Sequence, residues 1–286
     1  MIIKIDNGVL TAEIDTLGAE LQSVKNTDGT EFIWCGDKDV WGGRSPLLFP
    51  ICGALKNGKY EYNGTEYFLE KHGFARRTEF ECVRSGDEYA EFVLCHSDEL
   101  KKKYPFEFRL SVLYELKNDS LDVTYKVTNT GENTMYFSLG AHEGYACPDG
   151  IENFRLTFAD DEKITLYRAD ENGLITDNGK DFPLSDKSFM LKREMFDDDA
   201  LIFLDHTSRK VYLENINTGR KITVDFDGFD YLLIWTKPEG NYVCIEPWTG
   251  IPDRADCSGI LSEKTGITVL EEDCDYIVKH RVNFKN

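Results

Sequence analysis

Phe106-Glu-Phe-Arg-Leu-Ser-Val-Leu-Tyr-Glu-Leu-Lys-Asn-Asp-Ser-Leu-Asp-Val-Thr-Tyr-Lys-Val127 is the stretch that decides the fold. Phe106, Phe108, Leu110, Val112, Tyr114 and Leu116 fall on one side of an extended chain, with Glu107, Arg109, Ser111 and Glu115 on the other. Lys117-Asn-Asp-Ser120 has turn chemistry, and Leu121, Val123, Tyr125 and Val127 then resume the alternation. Strand side chains alternate with period two, so the stretch predicts a long β-hairpin with one buried face.

Weaker copies of the signal lie on both sides. Tyr62-Asn-Gly-Thr65 carries Asn-Gly, the dipeptide best able to place two consecutive residues at positive φ. Ser85-Gly-Asp87 predicts a second hairpin, and Asn217-Thr-Gly219 a third, joining residues 211–215 to 221–226. Helical signal is sparse. Residues 97–103 suit one or two turns before Pro105, with Ser97 or Asp98 as N-cap. Repeats, low-complexity tracts and linkers are absent. Turn signals recur about every ten residues, which predicts an all-β fold, a large antiparallel β-sandwich. The 286 residues read as a single domain over 1–286.

Composition bounds the partners. The formal net charge of −19 repels phosphates of nucleic acids and anionic bilayers, so the reading expects no nucleic acid and no membrane partner. No apolar run reaches the ~20 residues that span a bilayer. The start, Met1-Ile-Ile-Lys-Ile-Asp6, lacks a long apolar segment. The eight cysteines at 35, 52, 82, 95, 147, 244, 257 and 274 are widely and irregularly spaced, without Cys-x-x-Cys. Reduced thiols in a cytoplasmic protein are expected, and no zinc ribbon.

Five histidines allow a census. His280 alternates within a strand, His206 sits in a turn, and His96 ends a strand. His72, in Lys71-His-Gly-Phe-Ala-Arg76, and His142, in Gly140-Ala-His-Glu-Gly-Tyr-Ala-Cys-Pro148, lie in glycine-bearing loops beside strands, where functional residues concentrate. Glu246 closes the strand-like Asn241-Tyr-Val-Cys-Ile245, with Pro247 fixing the turn and Trp248 offering a flat wall or a core plug. Arg44 stands in the apolar run 41–53, and its permanent charge needs an anion, hydroxyls or water. Motifs for metal, for a serine nucleophile and for a dinucleotide are missing. One glutamate, two histidines and an arginine point to acid/base chemistry with no cofactor and no metal.

Taken together, Gly43-Arg-Ser-Pro-Leu-Leu-Phe-Pro50, His72-Gly-Phe-Ala-Arg76, Gly140-Ala-His142, Asp199-Ala-Leu-Ile-Phe203 and Cys244-Ile-Glu-Pro-Trp-Thr-Gly250 resemble the aldose 1-epimerase (galactose mutarotase) family. The branch most similar is that of LacX-like proteins and the related hexose-6-phosphate 1-epimerases. The resemblance implies a β-sandwich with an open sugar cleft and interconversion of α and β anomers of an aldose. It gives Glu246 the position of general base and His142 that of general acid. It makes His72, Arg44 and Asp199 sugar contacts; the residues themselves leave Asp198 open as an alternative acid and offer Trp248 as a surface for the ring. Arg44 and Arg76 are the positions that would grip a phosphate, so a phosphosugar stands beside a free aldose as substrate. A non-catalytic carbohydrate-binding module is the alternative of another class. The expected partner is a small sugar, and the assembly a monomer or homodimer. The loop departs from the family pattern at Glu143, which would raise the pKa of the adjacent His142 or point to solvent.

Overall fold

The long hairpin forms as the alternation predicts. Phe108–Lys117 pairs with Ser120–Asn129, from Phe108 opposite Asn129 to Lys117 opposite Ser120. The structure, a computed structural model, describes residues 1–176 and 179–285. The hairpin sits within a nine-stranded sheet. Across it run Ser188–Met190, Phe154–Phe158, Lys210–Asn215, Lys221–Asp225, Asp275–Lys285, Ser120–Asn129, Phe108–Lys117, Tyr89–Cys95 and Glu81–Ser85. A six-stranded sheet runs Glu143–Ala146, Tyr242–Trp248, Tyr231–Trp235, Leu201–Phe203, Ile164–Tyr167 and Lys180–Phe182. Pairing is antiparallel in both. A three-stranded sheet, Ile2–Asp6, Leu10–Asp15 and Glu20–Asn26, carries the N-terminal segment.

The two large sheets pack face to face. Phe158 of the nine-stranded sheet meets Phe203 of the six-stranded one with ring centroids 6.0 Å apart. Phe189 meets Phe182 in the same way at 4.9 Å. The fold is therefore an all-β antiparallel sandwich. The turns follow their residues. Tyr62 pairs with Thr65 across Asn63 (φ 49°) and Gly64 (φ 74°), the two positive angles that Asn-Gly tolerates. Ser97 caps the short helix Asp98–Lys101, its Oγ accepting the Leu100 N–H at 3.2 Å. All eight cysteines are unpaired thiols. Among the described residues no helix is long and apolar enough to cross a membrane.

One strand differs from its expected bounds. Residues 241–245 were to end before Glu246, yet the strand runs Tyr242–Trp248 and is buried at all seven positions. Its neighbour Tyr231–Trp235 stays paired as far as Trp248, whereas Glu143–Ala146 stops opposite Ile245. Pro247 thus falls where one flanking strand has ended, and its carbonyl still accepts the Ala141 N–H at 3.1 Å. Both faces of the strand are covered. Val243 and Ile245 enter the inter-sheet core with Leu232 and Ile234. Tyr242, Cys244 and Trp248 face the other way, under Trp34, Trp41, Leu48 and Cys52. Glu246 shares that second face by alternation.

Candidate active site

The outer face of the six-stranded sheet holds a cavity of about 210 Å³. Glu246 and Trp248 rise into it from one strand, and Ile202, Leu233 and Trp235 from the strands beside it. The loops add Trp41, Lys71, His72, Arg76, His142 and Asp199.

Glu246 and His142 meet at this cavity. His142 Nε2 lies 3.3 Å from Glu246 Oε2, with only 10% and 3% of the two side chains exposed. The meeting follows from strand order, because His142 directly precedes the strand that pairs with Tyr242–Trp248. Burial pushes the Glu246 carboxyl well above the usual carboxylate range, reinforced by Asp199 and Glu143 and opposed by Lys71. Burial pushes the His142 imidazolium down, and the charges of Lys71 and Arg76 act in the same direction. Both shifts work against an ion pair, because each disfavours the charged form of its group. Trp41 stacks on the His142 ring at 5.3 Å and 29°, and Trp235 meets it edge-on at 5.7 Å, so the imidazole plane is fixed.

His72 is fixed too. Its backbone takes φ 70°, and its Nδ1 accepts the Gly53 N–H at 3.2 Å. That bond reserves the Nδ1 lone pair and leaves the ring proton on Nε2, a donor. Burial lowers the pKa of His72 well below its ordinary value, as do His142, Lys71 and Arg76, so the ring is neutral. The following residue must be glycine. A Cβ on Gly73 (φ 68°) would stand 2.3 Å from the Phe49 carbonyl oxygen. Trp248 is both wall and plug: it lines the cavity, packs edge-on to His72 at 5.5 Å and donates its indole N–H to the Ala141 carbonyl at 3.2 Å.

Asp199 lines the cavity at φ 68°, with its Oδ2 3.8 Å from Lys71 Nζ. Arg168 holds this turn by donating to the carbonyls of Asp199, Ala200 and Met195 at 2.9, 3.1 and 2.6 Å. Asp198 instead faces an adjoining open groove. Arg76 lines the cavity, donates from Nη2 to the Lys71 carbonyl at 2.8 Å, and keeps a buried Nε without a partner.

Arg44 is not among the lining residues. Its Nη1 donates to the Gln22 carbonyl at 2.6 Å, and its backbone N–H to Glu20 Oε1 at 2.9 Å, so it ties the loop to the strand Glu20–Asn26. The expectations for Glu143 are corrected: it neither points to solvent nor turns toward His142. Consecutive strand side chains point to opposite faces, and Glu143 is buried between the sheets, 3.1 Å from His280 Nε2. Sequence reasoning also missed Trp41, Lys71 and Trp235. Lys71 adjoins the histidine that was singled out, and Trp235 sits opposite Cys244, two residues before Glu246, but neither carries a periodic signal. The fold brings three metal-type donors together as well: the donor atoms of His142, Cys244 and Glu246 lie within 4.8 Å of one another.

The chain matches the Aldose 1-epimerase family over residues 1–263. It is 32% identical over 281 residues to the plasmid-encoded protein LacX of Lactococcus lactis subsp. lactis, covering 94% of each chain. Among solved structures it is similar to a galactose mutarotase related enzyme from Lactobacillus acidophilus, with 33% identity, TM-score 0.92, and 100% of this chain and 98% of that one covered. It is similar as well to a galactose mutarotase-like protein from Lactobacillus casei, with 29% identity, TM-score 0.93 and both chains covered in full. The chain belongs to the aldose 1-epimerase family.

Proposed function

We propose that this protein interconverts the α and β anomers of an aldohexose by acid/base ring opening, without a cofactor. The observation that carries the reading is the Glu246–His142 pair, 3.3 Å apart at a buried, indole-walled cavity. A hemiacetal opens when O1 loses a proton and the ring oxygen gains one. Both oxygens hang on C1, so base and acid must be near neighbours. The pair shares one proton. With it on His142, Glu246 takes the O1 proton while His142 gives its own to the ring oxygen. The pair again holds one proton, now on Glu246 and drawn from O1, the uncharged arrangement that burial favours. Rotation about C1–C2 and reversal of both transfers yields the other anomer and restores the starting state. Positioned proton transfer of this kind is typically worth ~10²–10⁴-fold. The Nε2–H of His72, Arg76 and Asp199 suit the remaining hydroxyls, and Trp248 and Trp41 suit the apolar faces of the ring.

Lys71 and Arg76 at the cavity favour, as a second reading, a hexose 6-phosphate. Against it, Lys71 already faces Asp199, and Arg44 is not among the residues lining the cavity. Polarimetry on freshly dissolved α-D-glucose, α-D-galactose and their 6-phosphates tests both. Acceleration above buffer with the free sugars supports the proposal, and acceleration with the phosphates alone replaces it by the second reading. Sugar binding without acceleration would make the protein a binding module.

A further inference from the structure

We propose that the cavity floor is also a site for one borderline-soft divalent cation, zinc above all, held by His142, Cys244 and Glu246, and that its occupation switches the anomerase off. The inhibitory half rests on the function proposed above, whereas the binding half stands independently of it.

Three observations carry it. First, the donor set is assembled. Cys244 and Glu246 are two residues apart on one strand and so share a face, and His142 approaches from the loop before the paired strand. All three donor atoms lie within 4.8 Å of one another. With the usual zinc bond lengths, tetrahedral donors stand about 3.4–3.6 Å apart. His142 and Glu246 already stand at 3.3 Å, so only the thiol has to draw in. Second, His142 Nδ1 is buried without a hydrogen-bond partner. Trp41 and Trp235 hold the ring with Nε2 toward Glu246, and no partner on Nδ1 competes for the imidazole. Third, the ligand set has the right charge: a thiolate, a carboxylate and a neutral imidazole around a dication sum to zero, and a buried site accepts a neutral assembly where it would reject a net charge.

Imidazole, thiolate and carboxylate select zinc or cobalt over magnesium or calcium, which require oxygen donors. Three protein donors leave a fourth position, and the cavity lined by His142 and Glu246 adjoins it. Once coordinated, Glu246 is a far weaker base toward the O1 proton, and the metal-bound nitrogen of His142 carries no proton to give, so turnover stops.

The test titrates Co2+ into the whole protein and reads near-ultraviolet absorption, alongside zinc inhibition of anomerisation with chelator reversal. The expected results are a thiolate-to-cobalt charge-transfer band at one equivalent, zinc inhibition reversed by chelator, and no effect of Mg2+. Cys244→Ala should lose the band and weaken inhibition by at least about tenfold, since even an outer-shell partner of a metal site is worth ~10–100-fold in affinity. Its metal-free activity should stay near that of the parent. Cys35, Cys95 and Cys274 are exposed thiols, and a band that persists in Cys244→Ala would assign the metal to them and overturn the site. Cys244→Ser gives the same readout should the alanine variant fold poorly. A cobalt titration without a thiolate band overturns the proposal whether or not the protein anomerises sugars. A band that vanishes in Cys244→Ala while zinc leaves anomerisation untouched overturns the inhibitory half.

Discussion

Glu246→Gln, His142→Asn and the double variant form a cycle that reads the proposed proton exchange directly. Each single change removes one of two groups that must act in the same ring-opening event. The loss for either is therefore that of positioned proton transfer as a whole, ~10²–10⁴-fold, or about 3–5 kcal/mol at 1.36 kcal/mol per tenfold. The two groups stand 3.3 Å apart in a buried site, and the shared proton of the proposed mechanism makes them a unit. Losses within a unit are non-additive. The double variant should accordingly fall no further than about tenfold below the worse single one, where independent groups would lose ~10⁴–10⁸-fold by multiplication. Folding should survive, because glutamine has the shape of glutamate and removes a carboxyl whose charge burial disfavours. Polarimetric decay of fresh α-D-glucose measures the rates, and thermal melting checks the fold. Multiplying losses, or a Glu246→Gln variant keeping more than about a tenth of the parent rate, would refute the shared-proton mechanism.

The other predictions concern neighbours of the pair and the scaffold. Arg44→Met should lower the melting temperature through loss of the bond to the Gln22 carbonyl, about 1–3 kcal/mol, while leaving KM for the sugar unchanged; Arg76→Met should raise KM instead. Gly73→Ala combines a left-handed φ of 68° with a Cβ 2.3 Å from the Phe49 carbonyl oxygen. Urea unfolding should show a loss of about 2–5 kcal/mol. Asp122 tests acid stability. Burial alone would raise its pKa, but bonds from Arg281 and Lys117 prevail and bring it from 3.8 down to about 2. The depressed folded value means that this stabilisation is complete above pH 3.8 and disappears as pH falls toward 2. At 1.36 kcal/mol per unit it amounts to about 2 kcal/mol. Asp122→Asn should be less stable than the parent at pH 6 and equal to it near pH 2, by urea midpoint.

Most of the scaffold was legible because its signals are local. Alternation through 106–127 fixes both strands and their register once Lys117-Asn-Asp-Ser120 supplies the turn. The pairing of Glu143–Ala146 with Tyr242–Trp248 is not local: nothing in either segment names the other, and only the family resemblance joined His142 to Glu246 ahead of the coordinates. Resemblance also has a limit, which Arg44 shows. A matched motif gives a position along the chain but not the direction of a long side chain: Arg44 Nη1 donates to the Gln22 carbonyl, and Arg44 is not among the residues lining the cavity. Trp41 escaped notice for a related reason. A loop residue has no period, and its stacking on His142 depends on how the 33–53 segment lies over the sheet.

The cysteine reading turns on the same physics. Spacing along the chain argued against a metal site, because the familiar motifs place two donors within one turn or hairpin. A strand offers another route: residues i and i+2 share a face, so Cys244 and Glu246 are neighbours with a single residue between them. A third donor arrives from whichever strand pairs alongside, and here that is the His142 segment. The geometry that sets a base beside an acid for two oxygens on one carbon is also the geometry that sets carboxylate, imidazole and thiol around one ion. Zinc at the proposed site would compete with the proposed proton exchange, so anomerase activity in chelated buffer should exceed that in trace-zinc buffer for the parent but not for Cys244→Ala.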